Sequence, residues 1–175
     1  MDAAHFVYGP FLGYLWCLVR LLVPGPSGRQ RYNVLAALNA VTREVIRVAN
    51  HSYINADSVC ALLRQVAAAG WPRPITLVLD NARYQRCAPV QALARSLRLE
   101  LLYLPSYSPN LNLIERLWKF VKGQCLASRV LPTYGEFTGT IDRCLNSLHT
   151  QHHEQMATLL TLNFQTYDDV PVLTE

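Results

Sequence analysis

Apolar positions change their period several times along the chain, and each change marks an element. From Asn33 to Val41 they run almost unbroken, and Val45 and Ile46 sit between charges within Glu44 to Val48. Two such runs around Thr42-Arg43 predict a β-hairpin. Val59, Leu62, Leu63 and Val66 then recur at helical spacing, which predicts an amphipathic helix over Asn55 to Ala69. Asp57 or Ser58 suits its positive N-terminal end. Pro72 and Pro74 stop this helix. Ile75-Thr76-Leu77-Val78-Leu79 is a continuous β-prone run, the pattern of a strand buried on both faces, and it ends at Asp80. A helix over Ala88 to Leu97 and a second buried strand over Leu99 to Leu104 complete a parallel crossover. A loop from Pro105 to Asn112 leads to a helix over Leu113 to Cys125, with further helical patterns over Tyr134 to His149 and Glu154 to Leu162. The class is α/β, a mixed sheet flanked by helices.

The opening of the chain fits this pattern less well. Phe6 to Val19 is apolar but too short to span a bilayer, and Gly9, Pro10 and Gly13 break it before Arg20. No small-residue cleavage site follows a basic start, which argues against a signal peptide. Pro24-Gly25-Pro26-Ser27-Gly28 is a turn cluster, and the body of the fold is expected to begin near Tyr32. The length of 175 residues, 51% of them hydrophobic, suits one domain, placed at 1–165 with a tail at 166–175. A net charge of +4 permits a nucleic-acid partner without demonstrating one. Five scattered cysteines, Cys17, Cys60, Cys87, Cys125 and Cys144, argue against a disulfide framework or a zinc ribbon and point to a reducing cytoplasm, with no membrane partner.

Two carboxylates stand where chemistry is expected. Asp80 lies at the carboxyl end of a strand, where open α/β sheets place ligand-binding groups. Its plainer reading is a strand end that starts an Asx turn with Asn81. Glu115 opens a helix, and its plainer reading is the second half of a capping box begun by Asn112. The 34 residues between the two acids hold one helix and one strand, enough to return the chain to the same sheet edge. Acids packed together repel and raise each other's pKa unless a cation neutralises them, so a working cluster implies Mg²⁺ or Mn²⁺ with oxygen ligands.

Three blocks carry a resemblance: Leu77-Val78-Leu79-Asp80-Asn81-Ala82-Arg83-Tyr84, then Leu102 to Asn112, then Ile114-Glu115-Arg116-Leu117-Trp118-Lys119. In this order and spacing they resemble the insertion-sequence-630 group of bacterial transposases, within the mariner superfamily. The resemblance implies a ribonuclease H-like domain whose triad of two aspartates and a glutamate holds two Mg²⁺ or Mn²⁺ ions, with Asp80 second and Glu115 third. Asp2, beside small residues and Phe6, is the best match for the first acid. Asp57 is the rival, but it falls in a predicted helix, and an ordinary terminal acid is the plainer reading of Asp2. Only Met1 precedes Asp2, so most of the strand that should carry the first acid is expected to be missing. The family's helix-turn-helix region is not seen upstream either, and the chain reads as N-terminally truncated. Gln85 departs from the histidine that many relatives carry after the second aspartate.

Basic residues gather after both acids: Arg83, Arg86, Arg116, Lys119 and Lys122. They are candidates for DNA phosphate contacts, or simply the solvated face opposite Ile114, Leu117, Trp118 and Val121. Trp118 reads as core. His149, His152 and His153 lack the carboxylate or cysteine frame of a metal site and read as an exposed helix connection. The resemblance thus implies DNA as partner, a homodimer in the active complex, and cleavage followed by strand transfer in the bacterial cytosol. A catalytically dead DNA-binding or transposase-binding fragment and a stand-alone nuclease of the same fold are the alternatives.

Overall fold

The central strand forms because its side chains are needed on both faces of a sheet. In a computed structural model describing residues 1–9, 18, 28–105 and 108–164, β1 (Asp2–Val7), β2 (Arg31–Leu38) and β3 (Val45–Asn50) make an antiparallel sheet in that order. Tyr32, Val34 and Ala36 of β2 enter one apolar core, while Leu35 and Ala37 enter the other. The strand is therefore buried from Tyr32 to Ala37. Burial of that run supplies roughly 25 cal/mol for each Å² of apolar surface removed from water.

The predicted hairpin is β2 and β3, and its turn is built by polar chemistry. Asn39 Oδ1 accepts the backbone N–H of Val41 and Thr42, and Arg43 takes a left-handed backbone with φ 63°. Helix α1 (Ala56–Ala68) closes the second core with Val59, Leu62, Leu63 and Val66. Its cap is neither Asp57 nor Ser58 alone. Asn55 accepts from the Ser58 N–H and Ser58 Oγ reaches back to the Asn55 N–H, a reciprocal capping box.

Strands β4 (Ile75–Leu79) and β5 (Leu99–Tyr103) pair in parallel across helix α2 (Ala88–Ser96), as the alternation predicts. Their expected burial on both faces is corrected. Ile75, Leu77 and Leu79 are buried, but Thr76 is exposed and Leu102, opposite Val78, is 52% exposed. Described residues cover only the face that α1 and α2 pack against. The Met1 backbone nitrogen donates to Val78 O at 2.7 Å, which stitches the start of β1 to the end of β4. The strand of the first acid is corrected as well. Asp2 opens a six-residue strand paired with β2 from Ala36 to Arg31.

Helix α3 (Leu113–Val121) continues into one π-helical turn (Lys122–Leu126), and α4 (Tyr134–Asn146) and α5 (His153–Leu159) follow. Ile114, Leu117, Trp118 and Val121 pack on Ala4, Phe6 and Val34, and Phe137 and Ile141 of α4 complete that core. The cysteine reading is corrected here. Cys125 and Cys144 form a disulfide, with Cα atoms 6.3 Å apart, because the π-helical turn after α3 and the last turns of α4 bring both inward. Cys60 and Cys87 are free thiols. One bridge is not a framework, but it removes the argument from cysteines to a reducing compartment. His149 and His153 are exposed, and His152 packs its ring on Phe120, as expected for a helix connection. Among the described residues no helix is long and apolar enough to cross a membrane. Most of the apolar stretch Phe6 to Val19, the turn cluster before Gly28, Cys17, Ser106-Tyr107 and the proposed tail 166–175 lie outside the described residues.

Candidate active site

Asp80 follows the last residue of β4 and is exposed. The chain turns sharply after it because Asn81 adopts φ 74°, a conformation that a short polar side chain tolerates better than most. The turn is then held from below. Gln85, fully buried, accepts the Ala82 N–H through its side chain at 3.2 Å, and its backbone carbonyl accepts the Tyr103 hydroxyl of β5 at 3.1 Å. Gln85 is thus a structural anchor here.

Glu115 sits in the first turn of α3, also exposed. Its reading as half of a capping box is corrected. Asn112 occupies the cap position, yet its side chain makes no capping bond, so the Glu115 carboxylate is not used to close the helix start. The dipole of α3 favours a negative charge at that end.

Asp2 is the buried member, with 5% of its surface exposed. Trp118 Nε1 donates to its Oδ2 at 2.9 Å, a buried bond between residues 116 positions apart. Trp118 lies three residues after Glu115, so one face of α3 supplies both a carboxylate and the donor that orients another. The Asp2 carboxyl is pushed up from 3.8 to about 7, first by burial and next by the charge of Glu115, with Asp80 adding to it. The Ala3 backbone N–H pulls the other way. Tyr84 shares the neighbourhood: burial, then the charges of Asp80 and Asp2, push its phenol to about 12. Asp57, the rival first acid, is exposed on α1, where Asn55 Nδ2 donates to it.

These acids share a neighbourhood, though not a finished coordination sphere. Among the described residues no three His, Cys, Asp or Glu side chains stand close enough to hold a metal ion. The donor chemistry nonetheless suits a hard divalent cation: carboxylate oxygens only, and mutual repulsion that such a cation would remove. Among the described residues three buried side-chain polar atoms lack a partner, Asn81 Oδ1, Gln85 Nε2 and Asn112 Nδ2, and all lie in the segments that present Asp80 and Glu115. Buried polar atoms without partners are rare and costly, and here they collect around the acids.

The basic candidates separate. Arg83, Lys119 and Lys122 are exposed, and no side-chain bond engages them among the described residues. Arg86 lies over the Tyr103 ring, 5.2 Å from its centre. Arg116 is turned away from the acids' role as read from sequence. Its guanidinium donates to the carbonyls of Leu159, Thr161 and Asn163 and lies over Phe164, closing the end of α5. Trp118 is core, as its spacing predicts, and its indole N–H adds a bond to Asp2 that no local pattern signals.

A family model described as DDE superfamily endonuclease matches residues 20–138, and the chain belongs to that family. Asp80 and Glu115 fall inside the matched span and Asp2 outside it. The chain is 30% identical over 123 residues to an insertion element IS630 uncharacterized 39 kDa protein of Shigella sonnei, covering 67% of this chain and 35% of that protein. It therefore spans about a third of that relative's length. Among solved structures, the Mos1 transposase paired-end complex with left transposon end superposes with a TM-score of 0.63 at 15% identity, over 90% of this chain and 53% of that one. The Mos1 mariner paired-end complex with Mn gives 0.61 at 16% identity, over 94% and 55%. The Mos1 catalytic domain with raltegravir and Mg gives 0.55 at 15% identity, over 93% and 85%. The fold is ribonuclease H-like, as the resemblance implies.

Proposed function

We propose that the chain is the catalytic domain of a DNA transposase, which cuts DNA at the ends of a mobile element and joins those ends to a target. Asp2, Asp80 and Glu115 are its metal ligands and its catalytic acids. The observation that carries this reading is the neighbourhood of three carboxylates from β1, the end of β4 and the start of α3, where burial and then repulsion raise one of them to about 7. Such repulsion works against folding, so its presence favours a site that is completed by cations. Two Mg²⁺ or Mn²⁺ ions bound there would activate a water or a 3′-hydroxyl and stabilise the leaving oxygen of a phosphodiester.

The chain's own residues do the rest. Trp118 donates to Asp2 Oδ2 and so orients the carboxylate that would help hold a cation. Arg83, Lys119 and Lys122 contact DNA phosphates and set the duplex in register, with Arg86 beside them. Arg116 belongs to that group by sequence position, but its bonds to the end of α5 favour a structural role. The active complex is a homodimer that holds two element ends, in keeping with the paired-end state in which the Mos1 transposase was solved. It acts on the chromosome in the bacterial cytosol.

Strand cleavage tests this reading. A supercoiled plasmid carrying the element ends should be nicked in Mn²⁺ by the parent chain and not by Asp80→Asn or Glu115→Gln. Nicking without preference for those ends would instead identify a stand-alone nuclease. No nicking, with duplex affinity unchanged in both variants, would identify a fragment that only binds.

A further inference from the structure

A second polar site lies at the far end of β1. Arg29, Gln30, Arg31, His51, Ser52 and Tyr134 line an open cavity of about 270 Å³ where the chain enters β2, leaves β3 and begins α4. Its lining holds two guanidinium groups and no carboxylate. Among the described residues no ion pair or side-chain hydrogen bond engages Arg29, Arg31 or the Ser52 hydroxyl, and Arg29 and Arg31 are exposed. Asp142 accepts from the Tyr32 hydroxyl and pairs with Arg47, and Glu136 stands in the first turn of α4 without lining the cavity.

The cavity is also built. The Tyr134 hydroxyl donates to Arg31 O at 2.6 Å, so its oxygen is left to accept from His51 Nδ1 at 2.8 Å. The His51 ring is held between the rings of Tyr32 and Tyr134, 5.3 and 5.6 Å between centres. Tyr134 is the first residue of the 13-residue α4, whose start Thr133 caps by accepting the Glu136 N–H. Two guanidinium groups and a hydroxyl that no described residue engages, in a cavity lined by no carboxylate, together select an oxyanion.

We propose that this cavity binds a backbone phosphate of DNA away from the point of cleavage. This rests on reading DNA as the substrate. Val7, opposite Arg31, lies five residues along β1 from Asp2. At the rise of a strand that is roughly 17 Å, about the rise of half a turn of duplex. A duplex cut at the acids therefore presents another backbone phosphate at that distance, and the site sets its direction across the domain.

The test is binding of a fluorescein-labelled 30-base-pair duplex by anisotropy, at a series of salt concentrations, without divalent ions. Arg29→Gln with Arg31→Gln should flatten the slope of log affinity against log salt by about 1 and weaken binding about fivefold at 0.1 M salt. His51→Gln should weaken binding about twofold with a smaller change of slope. Arg64→Gln, an exposed cation on α1, should change neither. An unchanged slope in the double variant, or an equal change in Arg64→Gln, would overturn the site while leaving DNA as substrate. A parent chain that binds no duplex would overturn both.

Discussion

The two sheets of this domain are covered differently, and the acids stand at the seam between them. In β2 every residue from Tyr32 to Ala37 is buried, between α3 and α4 on one face and α1 on the other. In the β4–β5 pair burial alternates, and Leu102 is half open. Asp2 comes from the doubly covered sheet and is buried and oriented by Trp118; Asp80 comes from the ribbon and is exposed. The contrast teaches a division of labour: Asp2 is fixed by packing, while Asp80 after β4 and Glu115 in the first turn of α3 stand exposed.

The largest effect should separate the sheets themselves. Leu35→Ala, at a fully buried position of β2, should cost about 3 kcal/mol in urea unfolding, while Leu102→Ala on the open face of β5 should cost less than about 1. Equal losses would mean that the open face is covered after all. Next comes the fixed acid. Trp118→Phe keeps most of the packing on Phe6 but removes the donor to Asp2, and should cost about 2 kcal/mol. The same change in an Asp2→Asn background should cost less, because the acceptor there is neutral; a full-sized loss in both would show that only packing matters.

The pH dependence of the metal-free chain sharpens the contrast further. Asp2 is raised from 3.8 unfolded to about 7 folded, so the folded state holds its proton more tightly. That contribution is complete below about pH 4 and is lost as pH rises through 7. Asp2→Asn should therefore raise the melting temperature at pH 8 and leave it unchanged near pH 4. A difference that is the same at both values would place the effect in packing. The smallest effect is expected at Arg116→Gln, about 1 kcal/mol, read as faster hydrogen exchange at the end of α5, residues 159–163, with little change at the acids.

What was legible in the sequence follows the same division. Elements with a clear period were found: the hairpin, α1, β4, α2 and β5 lie close to their expected bounds. Asp80 and Glu115 stood out because they end a strand and open a helix at a spacing that one crossover spans. Features that depend on distant neighbours did not stand out. The Trp118–Asp2 bond joins residues 116 positions apart, and Arg116 meets carbonyls 43 to 47 residues on, so local pattern holds no trace of either. The Cys125–Cys144 bridge depends on how two helices face each other. Continuous apolar runs read as buried on both faces, but β4 and β5 carry such runs with one face open, because apolar period reports a strand and not what covers it.

Calorimetric titration of Mn²⁺ into the metal-free chain tests the central claim, that three acids from two differently covered regions make one metal site. The parent should bind Mn²⁺, and Asp2→Asn, Asp80→Asn and Glu115→Gln should each lose that binding while melting as folded proteins. A folded parent that takes up no Mn²⁺, or a variant that binds it as well as the parent, would contradict the account.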